Sequence, residues 1–170
     1  DARAGGTPLF VEALIDALIE SGDLIRLPSP GGYSWDLGKD VALALPSSVH
    51  RLIMERLERL APAERHVLDL IAIMGHATSH IVMRAASGLE EENLLDVLRH
   101  LIATGLMAER ADGPEVAYAI THPLIQEVAC AELPEMVRRR AHLAAIGALE
   151  RWRPEEVNRL ARHYLGAGAC

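Results

Sequence analysis

The residues of this 170-residue chain with the most evident chemical potential are its eight histidines. His76 and His80 stand four apart, the spacing at which two imidazoles on one helix can share a zinc ion. The intervening Ala77-Thr78-Ser79 supplies no glutamate of the zinc-protease kind, and no third ligand is evident. Gly75 puts His76 at a helix boundary, so the pair reads as a loop and a cap region, and no metal site is expected. Cys130 and Cys170 fit no metal spacing, and Cys130 falls in an apolar helical pattern where a thiol serves as a small core residue. The one dense basic run is Arg138-Arg139-Arg140. It could meet nucleic acid or another domain, or be a solvated helix face beside the small residues Ala141, Ala144, Ala145 and Ala148. Gly5-Gly6 and Gly31-Gly32 lack the spacing of a phosphate-binding loop, and no aliphatic run ends in paired acids that could hold magnesium. No nucleophile motif marks a hydrolase. Catalysis by this chain is therefore not expected.

The elements that must position these residues are mostly helical. Half of the chain is hydrophobic but only 4% is aromatic, so aliphatics and alanine carry the packing, a composition that favours helices. No apolar run approaches the roughly 18–20 residues that cross a bilayer, and the start lacks a basic and apolar leader, so a cytoplasmic location is expected. Thr7-Pro8 opens a first helix that Gly22 ends, apolar except for a stripe of Glu12, Asp16 and Glu20. Exposed, such a helix could pair two copies of the chain. Residues 24–27 and 33–37 flank Pro28-Ser29-Pro30-Gly31-Gly32 as a short hairpin, and residues 38–46 form a linker. Ser47 or Ser48 caps a second helix to about Leu60, and Pro62 starts a third with a nearly continuous apolar run to Met74.

Gly75 breaks that helix, and two more follow at about 79–87 and 90–104, each ended by glycine. Residues 106–110 and 116–120 then flank Ala111-Asp112-Gly113-Pro114 as a β-hairpin. Helices resume at Pro123, Pro134 and Pro154. Three helices and a two-stranded wing over about 62–120 predict a mainly α fold: a winged helix-turn-helix with a small hairpin wing, flanked by additional helices. The division is 1–46 for the end of a helical lid with hairpin and linker, 47–121 for the winged helix, and 122–170 for a helical linker leading to a helical-repeat region.

A winged helix suggests DNA binding, but the charge argues against it. The chain carries a formal net charge of −7, and the helix in the recognition position holds Glu90, Glu91, Glu92 and Asp96 against Arg99. Acids facing phosphates repel them, and base readout calls for Arg, Lys, Asn or Gln. A DNA-binding transcriptional regulator is therefore the alternative reading, not the first.

Several segments carry a resemblance. Gly6-Thr7-Pro8-Leu9-Phe10-Val11-Glu12 resembles the GNPLFVEEL segment of signal-transduction ATPases with numerous domains (STAND), chiefly their LuxR-type regulator and cyclase-associated members. Leu45-Pro46-Ser47-Ser48-Val49 with Arg56-Leu57-Glu58-Arg59-Leu60 is similar to their LPxSVxxLLxxRLxRL run. Gly105-Leu106 before the wing fits too. Residues 118–129 resemble their FRHALLREAAY segment, and Leu160-Ala161-Arg162-His163-Tyr164 looks like the start of a tetratricopeptide-like region. The resemblance implies a non-catalytic piece of a larger ATPase that couples ADP or ATP state to an output domain for transcription or cyclase signalling. ADP or ATP with Mg would belong to the parent, and the partners would be its own ATPase core and output domain. It implies that Pro8 lies near the adenine, with Gly6 allowing close backbone approach. It also places His122 where relatives hold the histidine that contacts the ADP β-phosphate, although Thr121 and Pro123 depart from their Met-His-Asp motif. A histidine in a helix cap is the simpler reading of the same position.

Overall fold

A computed structural model describes residues 24–29, 32–37, 47–112 and 115–168. Gly6, Pro8, the first helix of the sequence reading, the 38–46 linker and Cys170 lie outside the described residues. The chain divides into two compact units between Glu58 and Arg59.

In the first unit, β1 (Leu24–Ser29) pairs antiparallel with β2 (Gly32–Leu37), in a register that sets Leu24 opposite Leu37 and Ser29 opposite Gly32. Helix α1 (Ser47–Glu58) buries Ile53 and Leu57, four apart and so on one face.

The second unit is mainly helical with a small three-stranded antiparallel sheet. Its hub is α2 (Pro62–Met74), in which every residue from Val67 to Met74 is buried. Pro62 is preset for the first helical turn, and the Glu64 side chain accepts from the Ala61 N–H at 2.9 Å, satisfying a donor that the helix leaves open. Gly75 ends it at φ 69°, donating its N–H to the Ile71 carbonyl, a left-handed turn that costs glycine nothing.

Around this hub the chain lays β3 (Thr78–Ser79), α3 (His80–Ser87), α4 (Glu91–Ala103), and the hairpin of β4 (Met107–Asp112) with β5 (Glu115–Ile120). The sheet order is β3-β5-β4, with Thr78 opposite Tyr118 and Met107 opposite Ile120. Leu68, Ile71, Met74, Met83, Leu94, Leu98, Leu101 and Met107 are all fully buried. Each such side chain contributes roughly 1.5–3 kcal/mol by leaving water.

Three helices complete the unit: α5 (Pro123–Ala131), α6 (Glu135–Trp152) and α7 (Val157–Ala167). Helices α5 and α6 pack on α2, where Leu70, Ile73, Leu133 and Ala141 form a small cluster with Cys130 and Ala144 against it. Helix α6 also lies along α3, and α7 packs on α6. Among the described residues no helix is long and apolar enough to cross a membrane.

Candidate functional site

His122 sits where β5 hands over to α5, and its position is fixed from both sides. Before it, Thr121 donates its hydroxyl to the Gly105 carbonyl at 2.8 Å and its N–H to Leu106 O at 3.1 Å. That pins the end of the strand to the corner between α4 and β4. After it, Pro123 opens α5, and His122 is the residue that caps the helix, with extended backbone at φ −139° and ψ 136°. Its Nδ1 accepts the Leu124 N–H at 3.2 Å. An acceptor at Nδ1 requires the neutral ring to carry its proton on Nε2, so the cap selects the tautomer. The ring is half-buried. His122 is thus a capping residue.

The two histidines four apart do not work together. His76 is exposed, with Nδ1 3.3 Å from Met74 O just past the end of α2. His80 opens α3 and turns to Glu91, 2.7 Å from Nε2 to Oε1, with the Tyr118 hydroxyl 3.5 Å from its Nδ1. Arg84 reaches the other oxygen of Glu91 at 3.2 Å, so one carboxylate ties α3 to α4, and β5 joins them through the His80 ring. Burial, ahead of the nearby Glu109 and Glu91, pushes the Tyr118 phenol up from its usual range. Among the described residues no three His, Cys, Asp or Glu side chains gather to hold a metal ion.

The basic run divides by role. Arg138 turns inward: its guanidinium donates to Cys130 O at 3.0 Å and lies 3.8 Å from Glu135. A cation there satisfies carbonyls at the end of α5 and complements the negative end of its dipole. Arg139 and Arg140 stay exposed and bridge to no carboxylate among the described residues. Cys130 is half-buried, and desolvation raises its thiol pKa despite the nearby Arg138, which keeps it un-ionised and unreactive.

One histidine contact was not expected from the sequence. His142 of α6 and His163 of α7 approach Nδ1 to Nδ1 at 3.0 Å. One ring must donate and the other accept, so the two cannot both be charged. His163 is fully buried, and its Nε2 has no hydrogen-bond partner. Burial first, then Arg162, His142, Arg159 and His76, press its pKa down to about 4. The His142 pKa is lowered as well, by burial and by Arg162 and Arg138. The positions are 21 residues apart on separate helices, so no local spacing could announce the pair. Gly166 faces the same contact: a Cβ there would run into the His142 ring.

The chain matches no protein-family model, and a search of curated proteins finds no match.

Proposed function

We propose that this chain is a non-catalytic regulatory segment of a multidomain signal-transduction ATPase. Residues 47–121 act as a winged helix whose position follows the ADP or ATP state of an ATPase core and passes it to an output domain. The observation that carries the reading is the setting of His122. Helices α2, α3 and α4 are followed by the β4–β5 hairpin, and the histidine comes two residues after the last strand. Its ring is anchored through Nδ1 to the cap of α5. An imidazole whose Nδ1 accepts a backbone N–H carries a proton on Nε2, an atom of the kind that donates to phosphate oxygens. Anchoring to a helix cap also means that the contact is made or lost as the whole domain moves, which is what a nucleotide switch needs.

The exposed face of α4 supports a protein-facing role for this domain. Glu90, Glu92 and Asp96 are exposed there, and Arg99 is engaged by Asp96 at 2.7 Å. The chain contributes contacts and not a nucleotide site: His122 and, by resemblance, Gly6 and Pro8 would close over ADP or ATP held by the core. The nucleotide and its Mg supply the charge that is sensed, and hydrolysis belongs to the core.

The test is ADP calorimetry on this chain and on a longer polypeptide that includes the core. Only the longer protein should bind. His122→Ala should weaken its binding by about 1–3 kcal/mol, as loss of a hydrogen bond to a charged group does. His122→Asn separates the two roles, because asparagine caps a helix as well as any residue but has no Nε2. Unchanged ADP affinity in the Asn variant would reduce His122 to a cap.

A further inference from the structure

A groove of the second unit runs along α6. One end is a cavity of about 1050 Å³ where Met136, Val137 and Leu143 face Ala85 and Gly88. The other is a cavity of about 690 Å³ reaching Arg151 and Trp152. Both share Ala85, Gly88, Leu143 and Ala144, so they form one groove. From Met136 to Trp152 it spans about 24 Å at the helical rise per residue.

The walls are large apolar side chains left in water. Met136 is 74% exposed, Leu143 49% and Trp152 38%. The floor is low, with Ala144, Ala148 and Gly147 along it, and a Cβ added at Gly147 would meet only open space. A floor of that kind lets another helix approach closely. A patch of this length on a soluble surface marks an interaction site more often than chance exposure.

The rim supplies the sign of the partner. Arg139 and Arg140 line one end, and Arg151 the other, 5.3 Å over the Trp152 ring. None of the three makes an ion pair among the described residues, in a chain whose net charge is −7. The acids at the groove are Asp69, already bound by Arg65 at 2.8 Å, and the exposed Glu90. Three cations without ion pairs among the described residues thus rim the exposed apolar side chains.

We propose that this groove receives an acidic amphipathic helix of a partner protein, its apolar stripe on the α6 walls and its carboxylates at Arg139, Arg140 and Arg151. The mode is helix-in-groove: apolar anchors give the affinity, and rim charges set orientation and partner choice. A nucleic acid would find the arginines but gain nothing from the apolar walls. The surface is separate from His122, so the inference stands whether or not that residue meets a nucleotide.

The experiment is fluorescence anisotropy of the full chain with a labelled amphipathic peptide of about 18 residues, the groove length at the helical rise. Its apolar stripe is leucine, and its flanks are glutamate. Saturable micromolar binding is expected, at least about tenfold weaker for a lysine-flanked version and absent for a scrambled one. Leu143→Asp should abolish binding. Arg139→Glu with Arg140→Glu should invert the preference between the two peptides. All three residues are exposed, so folding is unaffected and circular dichroism checks it. Failure of the glutamate peptide to bind, equal binding of the lysine peptide, or indifference to Leu143→Asp overturns the proposal. So does sedimentation showing a dimer that Leu143→Asp dissolves, which would make a second copy the occupant.

Discussion

Around α2 the contacts are aliphatic: Leu68, Ile71, Met74, Leu98 and Leu101 exclude water almost completely. Between α6 and α7 the same task falls to alanines, two histidines and arginines, with His163 at the centre and Tyr164 reaching Glu150 at the edge. The first region is held by burial, which is indifferent to protonation. The second contains an imidazole, His163, whose pKa is pushed down to about 4 by burial and by the neighbouring Arg162, His142, Arg159 and His76, so protonation works against it. One unit thus contains a seam that acid weakens and an aliphatic core whose packing acid leaves alone.

The largest effect is expected from the core. Leu98→Ala removes a buried side chain from α4 and should cost about 2–5 kcal/mol in chemical denaturation, equally at pH 7 and pH 5. A cost that changed sharply between those conditions would break the distinction between core and seam.

Next comes acid. The folded pKa of His163 lies at about 4, below its ordinary 6.5. The unfolded chain therefore takes the proton first. Stability is complete above about pH 6.5 and falls as pH drops toward 4, by up to about 3 kcal/mol. Asp69 works in the opposite sense, since burial raises its pKa despite Arg65 and the folded state binds its proton more tightly. The informative quantity is the difference between the chain and His163→Leu, whose denaturation midpoint should have a shallower acid slope. An unchanged slope would mean that the seam does not depress the His163 pKa.

The smallest effect is a steric one. Gly166→Ala gains about 1 kcal/mol of helix propensity but drives a methyl into the His142 ring. Overpacking costs about 1–3 kcal/mol, so a net loss of about 1 kcal/mol is expected, together with loss of the Nδ1–Nδ1 contact. Nitrogen-resolved NMR of the two rings would show whether their shared proton has gone.

These two regions also differ in how far the sequence announces them. The span Pro62–Met74 is legible because proline, a continuous apolar run and Gly75 mark its start, burial and end within one stretch. The β4–β5 hairpin is legible for the same local reason, being two strand-forming segments around Gly113-Pro114. Strand β3 escapes because two residues have no periodicity, and only their pairing with Ala117 and Tyr118 makes them a strand. His122 can be read as a cap residue, since the following proline fits only a first helical turn, but its tautomer depends on the Leu124 N–H. The His142–His163 contact follows from how α6 and α7 cross, which no spacing along the chain encodes. The division of Arg138 from Arg139 and Arg140 is hidden likewise, because consecutive helical positions point about 100° apart and only tertiary packing decides which is covered.

The arginines of α7 have one more consequence, in time instead of energy. Arg162 donates to Met74 O at the end of α2, and Arg159 to the Thr78 hydroxyl, across sequence separations of 88 and 81 residues. The hairpins and the α2–α3 contacts join near neighbours and can form early, whereas this latch must wait until a long loop of chain has closed. In refolding, amide protection at the start of α7 should therefore appear last, after the unit it fastens has already taken shape.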